Sequence, residues 1–310
     1  MQSVSLENQI EAWSRELGFE SCGFAKAQRL DTEAASVEKW LVEGCNAQMT
    51  YLERNRDKRY NPQLLSEGTK TVIAVLQNYF PREKKIGDEV AKYAYGADYH
   101  KIVKDKLHVL LKRIEGVVGE MPTARVFVDS APTLDRAWAV RCGLGFIGKN
   151  TTLIVPKKGS FFFIGLMLVP IELKYNDKIV QSMCGTCTRC VDACPNKALT
   201  PYHIDANKCI SYLTIEHKGQ IDASLNNRIF GCDICQDVCP HNRFAVPTTE
   251  TGFTPSREVV EMSKEGWDKL TEEKFKTCFK GTAFERAGYE GIMRNVRKNA
   301  SEVERETENG

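Results

Sequence analysis

The N-terminal half of the chain alternates between helical and extended patterns of apolar residues. Leu6, Ile10, Trp13 and Leu17 recur at helical spacing and Gly18 stops the run, so a helix is predicted there, followed by a strand at about residues 22–25. Residues 71–76 and 125–128 are short apolar runs bounded by polar or turn residues and read as buried strands. Between them Tyr99, Val103, Leu107, Leu110, Ile114 and Val117 trace one face of a long helix, with Asp98 placed to cap it. Another helix is expected from Pro132 to Gly143, then strands at 151–155 and 160–169. The longest apolar stretch, residues 161–171, is broken by Gly165 and Pro170 and is too short to cross a bilayer as a helix. From Cys184 the pattern changes to cysteine-punctuated segments, and beyond about residue 246 to charged helices. The predicted class is α+β, with a layered α/β domain over 1–175, a ferredoxin-like module over 176–245 and a short helical segment over 246–310 that ends in a solvated acidic tail.

Composition narrows the classes. The 310 residues are 42% apolar and 27% charged with a net charge of +2, values of a soluble globular chain with no polyelectrolyte character, so any nucleic-acid contact must use local patches. The first twenty residues show neither a basic leader with an apolar core nor an arginine pair, which predicts a cytoplasmic protein without membrane association. In that reducing compartment twelve cysteines are not read as disulfides.

Eight of the cysteines stand at ligand spacing. Cys184-x2-Cys187-x2-Cys190-x3-Cys194-Pro195 is the bacterial ferredoxin run, in which three thiolates wrap one 4Fe-4S cluster and the fourth reaches across to another. Cys232-x2-Cys235-x3-Cys239-Pro240 is one ligand short, and Cys209 completes the set. The exchange assigns Cys184, Cys187, Cys190 and Cys239 to one cluster, and Cys209, Cys232, Cys235 and Cys194 to the other. Structural zinc also favours C-x2-C pairs, but it needs no exchanged cysteine followed by proline. Two clusters alone suit an electron-transfer protein. Such a role leaves the large N-terminal domain unexplained, and neither a dinucleotide nor a Walker motif is present.

The segments Lys92-Tyr-Ala-Tyr-Gly-Ala-Asp-Tyr-His100, Val128-Asp-Ser-Ala-Pro132, Gly143-Leu-Gly-Phe-Ile-Gly-Lys-Asn150 and Cys209-Ile-Ser-Tyr-Leu-Thr214, together with the cysteine runs, resemble those of the epoxyqueuosine reductases. These are cobalamin-dependent iron–sulfur enzymes that complete queuosine in tRNA. The resemblance covers roughly residues 1–245; many members continue into a helical-repeat domain, whereas this chain has 310 residues. It implies base-off cobalamin without a protein ligand on the lower face of cobalt, fed by the two clusters from an external flavodoxin or ferredoxin type of donor. Asp98-x-His100 begins like the cobalt-binding D-x-H-x-x-G signature, but Val103 stands where glycine is required, so His100 is not read as a cobalt ligand. Cluster potentials can fall to about −700 mV, low enough to reduce cobalt.

The resemblance makes Asp129 the general acid, a role that requires a raised pKa. It places Asp98, Tyr99 and His100 in the substrate pocket, and Ser130, Gly148, Lys149 and Asn150 beside the corrin. A tRNA anticodon stem-loop is the implied partner. Lys274, Lys276, Lys280, Arg286, Arg294, Arg297 and Lys298 form one basic patch, and Arg54, Arg56, Lys58 and Arg59 beside Tyr51 and Tyr60 another. A reductive dehalogenase, which uses the same cofactors, is the rival enzyme reading; the basic C-terminal segment and the missing twin-arginine leader speak against it.

Overall fold

The computed structural model describes residues 4–82, 89–176 and 179–308, with side chains to residue 302. The N-terminal core is a four-stranded sheet. Its strands are β1 (Ser21–Lys26), β2 (Thr71–Asn78), β3 (Arg125–Phe127) and β6 (Phe162–Val169), in the order β1-β2-β6-β3. A separate hairpin holds β4 (Phe146–Ile147) and β5 (Leu153–Ile154), shorter than the strand expected over 151–155. Every pairing in the large sheet is antiparallel. The α+β class therefore holds in its coarse form.

Strand β2 is buried on both faces, which is why it reads as a continuous apolar run rather than an alternation. Ile73 and Val75 face one core with α1 (Leu6–Glu16) and α4 (Tyr99–Val118), through Ile10, Val103, Leu107, Leu110 and Ile114. Val72, Ala74 and Leu76 face the other with α5 (Asp135–Arg141), through Trp138 and Ala139. Helix α4 is capped by Asp98, whose Oδ1 accepts from the His100 N–H at 2.9 Å, and it ends before Gly119 at φ +91°. Its apolar stripe stops one turn earlier than expected, because Val117 is 55% exposed. Helix α5 begins three residues after Pro132. The intervening residues form a turn in which the Ser130 N–H donates to Val128 O and the Thr133 N–H to Ala131 O.

Helix α2 (Asp31–Val42) and the single turn α3 (Arg56–Tyr60) join β1 to β2. The cysteine-rich region carries short helical turns α6 (Arg189–Asp192), α7 (Ile210–Ile215) and α8 (Ile234–Asp237), plus a two-stranded ribbon of β7 (Leu199–Thr200) and β8 (His203–Ile204). Four helices follow, α9 (Arg257–Glu261), α10 (Lys264–Asp268), α11 (Glu272–Cys278) and α12 (Gly288–Glu308). The region expected as an acidic tail is the end of α12; residues 309 and 310 lie outside the described residues. Phe284 stacks on Phe230 and packs with Trp267 and Phe279, in one core with Ala94 and Tyr95, so the C-terminal helices cover the seam between the first domain and the cysteine-rich module. Among the described residues no helix is long and apolar enough to cross a membrane.

Candidate active site and cluster-binding module

Asp129 follows β3 in a left-handed conformation, φ +56°, which aspartate tolerates better than most side chains. Because the sheet is antiparallel, strand C-termini do not gather at one edge as in a parallel α/β fold. The residue owes its position instead to a loop laid against the start of α4. Asp135 fixes that loop, its carboxylate accepting from the Asp129 N–H at 3.2 Å and from the Thr133 hydroxyl. Helix α5 has no side-chain cap, so neither Asp129, Ser130 nor Thr133 serves as one.

The Asp129 carboxylate is thereby left to other partners. The Tyr99 hydroxyl donates to its Oδ2 at 2.6 Å, and His100 Nε2 lies 3.5 Å from the same oxygen. His100 Nδ1 is 2.7 Å from Asp98 Oδ1, so the residue that caps α4 also orients the imidazole. Tyr99 is held between Phe163, stacked at 4.0 Å, and the His100 ring at 4.1 Å. Tyr99 and His100 thus meet at one carboxylate oxygen, and Asp98 reaches it only through His100.

Electrostatics reverse one expectation. The His100 imidazole, opposed by burial and assisted by the Tyr99 hydroxyl, holds Asp129 below the usual carboxylate range. The Asp129 carboxylate in turn raises His100, with Asp98 adding to it. The pair therefore favours a protonated His100 beside an ionised Asp129, whereas the acid role called for a raised Asp129. The Asp129 side chain remains 67% exposed, so its neighbours wall the site without sealing it from water. Burial and then the Asp129 charge push Tyr99 up strongly. Asp135 is pushed up to about 6, mainly by burial and partly by Asp129. Sequence reasoning passed over Asp135, which looks like an ordinary acid in the first turn of a helix. Tyr51 forms another part of the surroundings. Its phenol is raised by burial, then by Glu216, and also feels Asp129. Arg286 lies 5.8 Å above its ring and grips Glu216 through two 2.8 Å hydrogen bonds.

Electrostatic contacts among the eight cysteines run mainly within two sets. Cys239 interacts with Cys184 and Cys187, and Cys190 with Cys239 and Cys184. Cys209 interacts with Cys194, Cys232 with Cys209, and Cys235 with Cys232 and Cys209. Cys235 also feels Cys190, so the groups adjoin. Burial raises the Cys190, Cys209, Cys232, Cys235 and Cys239 thiols, Cys232 to about 11, and as thiolates they need a cationic core between them. A zinc ion would draw its sulfurs to about 3.8 Å from one another, given Zn–S distances of about 2.3 Å. Among the described residues no three of these eight sulfurs lie within 4.8 Å of one another, which lends no support to a zinc site among them.

Residues 148–150 hold the module. Lys149 Nζ donates to Gly185 O at 2.7 Å and Cys187 O at 3.0 Å, and Asn150 Nδ2 to Cys235 O at 3.4 Å. A Cβ on Gly148 would lie 2.4 Å from Ile154 Cδ1, so this glycine permits tight packing inside the β4–β5 hairpin. Across the same seam Lys92 donates to Asp233 through its backbone N–H at 2.7 Å and to Asp237 through Nζ at 2.6 Å. A cavity of about 970 Å³ opens between Phe80, Tyr95 and Phe161 of the first domain and residues 237–240, 242 and 243, reaching Cys239; Asp129 and His100 do not line it.

The basic patches are largely committed. Arg294 donates to His217 O at 2.5 Å and Leu213 O at 2.9 Å, docking α12 on α7. Lys298 pairs with Glu302, Lys276 with Glu272, and Arg56 with Glu38. Lys274, Lys280 and Arg297 are exposed, as are Arg54 and Lys58, whereas Arg59 is buried.

Comparisons with known proteins agree with this arrangement. Residues 183–242 match the 4Fe-4S double cluster binding domain family, and residues 59–130 match the family described as epoxyqueuosine reductase QueG, DUF1730. An epoxyqueuosine reductase of Leadbetterella byssophila is 46% identical over 93% of this chain and 96% of its own length. The chain belongs to the epoxyqueuosine reductase family. It is an oxidoreductase with a 4Fe-4S double-cluster domain. The reductase of Pseudomonas aeruginosa is 40% identical over 94% of this chain and 84% of its own, so relatives of different lengths occur. Among solved structures, an epoxyqueuosine reductase with a tRNA-Tyr epoxyqueuosine-modified stem loop has a TM-score of 0.84 at 27% identity, covering 95% of this chain and 80% of that one. The Bacillus subtilis reductase, solved with its catalytic aspartate loop swung out of the active site, has a TM-score of 0.84 at 26% identity, with 95% and 80% covered. A reductive dehalogenase with 3-bromo-4-hydroxybenzoic acid shares the fold only, at 17% identity and a TM-score of 0.51 over 94% of this chain and 37% of that one.

Proposed function

We propose that the protein reduces the epoxide of epoxyqueuosine at the wobble position of tRNA to the alkene of queuosine, with electrons entering from an external flavodoxin or ferredoxin type of donor through both clusters. The observation that carries this reading is the Asp98–His100–Asp129–Tyr99 constellation, an open acid–base site in a chain with two four-cysteine sets. Removing the oxygen consumes two electrons and two protons and releases water. The protein's part is to protonate the departing oxygen.

The geometry supports a stored proton. With the site open, the Asp129 carboxylate favours the proton on His100, and His100 in turn favours an ionised Asp129. A bound substrate covers Asp129 and excludes water, which disfavours its charge. The proton then moves from His100 Nε2 to Asp129, and from Asp129 to the leaving oxygen. Asp98 keeps Nδ1 engaged throughout, and the Tyr99 hydroxyl steadies the carboxylate before transfer. Asp135 holds the loop in its left-handed turn.

The family resemblance calls for base-off cobalamin, and the residues fit a corrinoid that takes no ligand from the protein. Both ring nitrogens of His100 face carboxylates, so neither is free for cobalt, and the space over Asp129 is open. Bound there, cobalamin would supply the low-potential metal centre that passes cluster electrons to the epoxide. Ser130 lies on the Asp129 loop and would border it. Lys149 and Asn150 act as the clamp between domains rather than as corrin donors. The acid chemistry belongs to the Asp129 cleft and not to the 970 Å³ cavity, where Asp237 is neutralised by Lys92. Action on tRNA supports a cytoplasmic location.

The test is anaerobic turnover. Enzyme loaded with clusters and cobalamin and chemically reduced should convert an epoxyqueuosine-bearing anticodon stem-loop to queuosine, read by mass analysis of the digested nucleosides. Loss of a halide from a halogenated phenol with no queuosine formed would replace this reading with the dehalogenase one.

A further inference from the structure

Away from the Asp129 cleft and from the eight cluster cysteines, Glu43, Cys45 and His203 bring three donor atoms within 4.8 Å of one another, the one such group of histidine, cysteine and carboxylate donors among the described residues. Glu43 and Cys45 lie just beyond the C-terminal end of α2, and His203 opens β8 of the cysteine-rich module, so the group bridges the two parts. Cys45 Sγ is 3.5 Å from His203 Nε2, and the same nitrogen is 3.8 Å from Glu43 Oε2. Zinc distances of about 2.3 Å to sulfur and about 2.0–2.1 Å to nitrogen place those two donors about 3.6 Å apart at a tetrahedral angle. The sulfur–nitrogen separation thus already matches one edge of a zinc tetrahedron.

The surroundings favour a cation. Cys45 is 8% exposed, with the acids Glu43 and Asp205 close by, and the nearby bases are Lys208 and Lys39, the latter 3.8 Å from Glu43 Oε1 and so off the Oε2 that faces His203. Lys208 is itself paired with Asp205 at 3.2 Å. The His203 and Glu43 side chains are 38% and 39% exposed, which leaves a path for an ion and room for a water as fourth ligand. Backbone geometry holds the donors in place: the Ala206 N–H donates to Cys45 O at 2.9 Å, Asn207 Nδ2 to Gly44 O at 2.9 Å, and Trp40 Nε1 to Ile204 O at 2.6 Å. Ala206 O in turn accepts from the Cys209 N–H at 3.0 Å.

We propose that Glu43, Cys45 and His203 form a mononuclear site for a borderline divalent ion of the zinc class, which staples the first domain to the loop that delivers Cys209. A sulfur, an imidazole and a carboxylate together suit zinc better than magnesium or calcium, which take all-oxygen shells. Binding exchanges the Cys45 thiol proton for the metal, with no change of oxidation state. The site goes beyond the reductase reading and does not depend on it.

The test uses protein purified anaerobically with its clusters in place, incubated with one equivalent of zinc chloride and desalted, with zinc and iron counted together. The expected result is about one zinc per chain with the iron content unchanged. Cys45→Ser and His203→Ala should each lose that zinc while keeping their iron, and a zinc-dependent rise in melting temperature seen in the parent should vanish in both. His203 lies near the surface, so its variant folds even if the buried Cys45 variant does not. No zinc retained by the parent would overturn the site. So would zinc retained equally by both variants, which would make it an adventitious ion only. Loss of iron in the parent would instead count against the cluster assignment.

Discussion

Asp129→Asn separates chemistry from scaffolding at one position. The carboxylate caps no helix and is 67% exposed. Its loop is held by the backbone N–H to Asp135, which asparagine keeps, and asparagine tolerates φ +56° as well as aspartate does. The stability cost is then the difference between a charged and a neutral acceptor for Tyr99, about 0.5–1 kcal/mol at an exposed site. The catalytic cost is far larger. Asparagine cannot pass on a proton, and loss of a general acid typically costs about 10²–10⁴ in rate, or about 3–5 kcal/mol of barrier. The largest cause of the raised His100 pKa also disappears, so His100 should titrate closer to its ordinary value of 6.5. Single-turnover assays on chemically pre-reduced enzyme, which bypass the electron donor, measure the rate, and histidine NMR measures the titration. Alkene formation within about threefold of the parent, with His100 titrating nearer its ordinary value, would refute the relay through Asp129.

The pair also predicts a pH window. Raised His100 contributes stability that is complete below 6.5 and lost as pH rises through its higher folded value, while lowered Asp129 contributes above 3.8 and loses this as pH falls through its lower folded value. Denaturation at a series of pH values should show this contribution between about pH 4 and 6.5, and Asp129→Asn should flatten it. Cys194→Ala should remove the cluster held by Cys209, Cys232 and Cys235 and spare its neighbour; paramagnetic resonance showing loss of the Cys184 cluster instead would overturn the ligand exchange. Arg294→Ala strands the Leu213 and His217 carbonyls and should cost about 1.5–3 kcal/mol per charged hydrogen bond, read as easier release of α12 in hydrogen exchange. The salt dependence of tRNA binding should not respond to that change. It should weaken when the exposed Lys274, Lys280 and Arg297 are neutralised together, and an unchanged slope would remove this face from the interface.

Much of the site was legible because it is local in the chain. Cysteine spacing alone suggested two exchanged sets of four ligands, since a thiolate three residues from the next has few ways to wrap a cluster, and the thiols couple along those lines. The cap at Asp98 and the stripe through Ile114 follow from helical periodicity, which depends only on neighbours within a turn or two. What tertiary structure decided lies at long separation. Strand direction was one such outcome, because an apolar run buried on both faces looks alike in parallel and antiparallel sheets. The partners of polar side chains were another. Tyr99 reaches Asp129 across 30 positions and His203 reaches Cys45 across 158, so neither pairing leaves a periodic trace. Lys149 and Arg294 show the same limit. The family resemblance set Lys149 beside a corrin and charge set Arg294 beside a phosphate, but packing had put backbone carbonyls of the cysteine-rich module within their reach. Composition tells which groups are available, and the fold alone tells which of them are already satisfied.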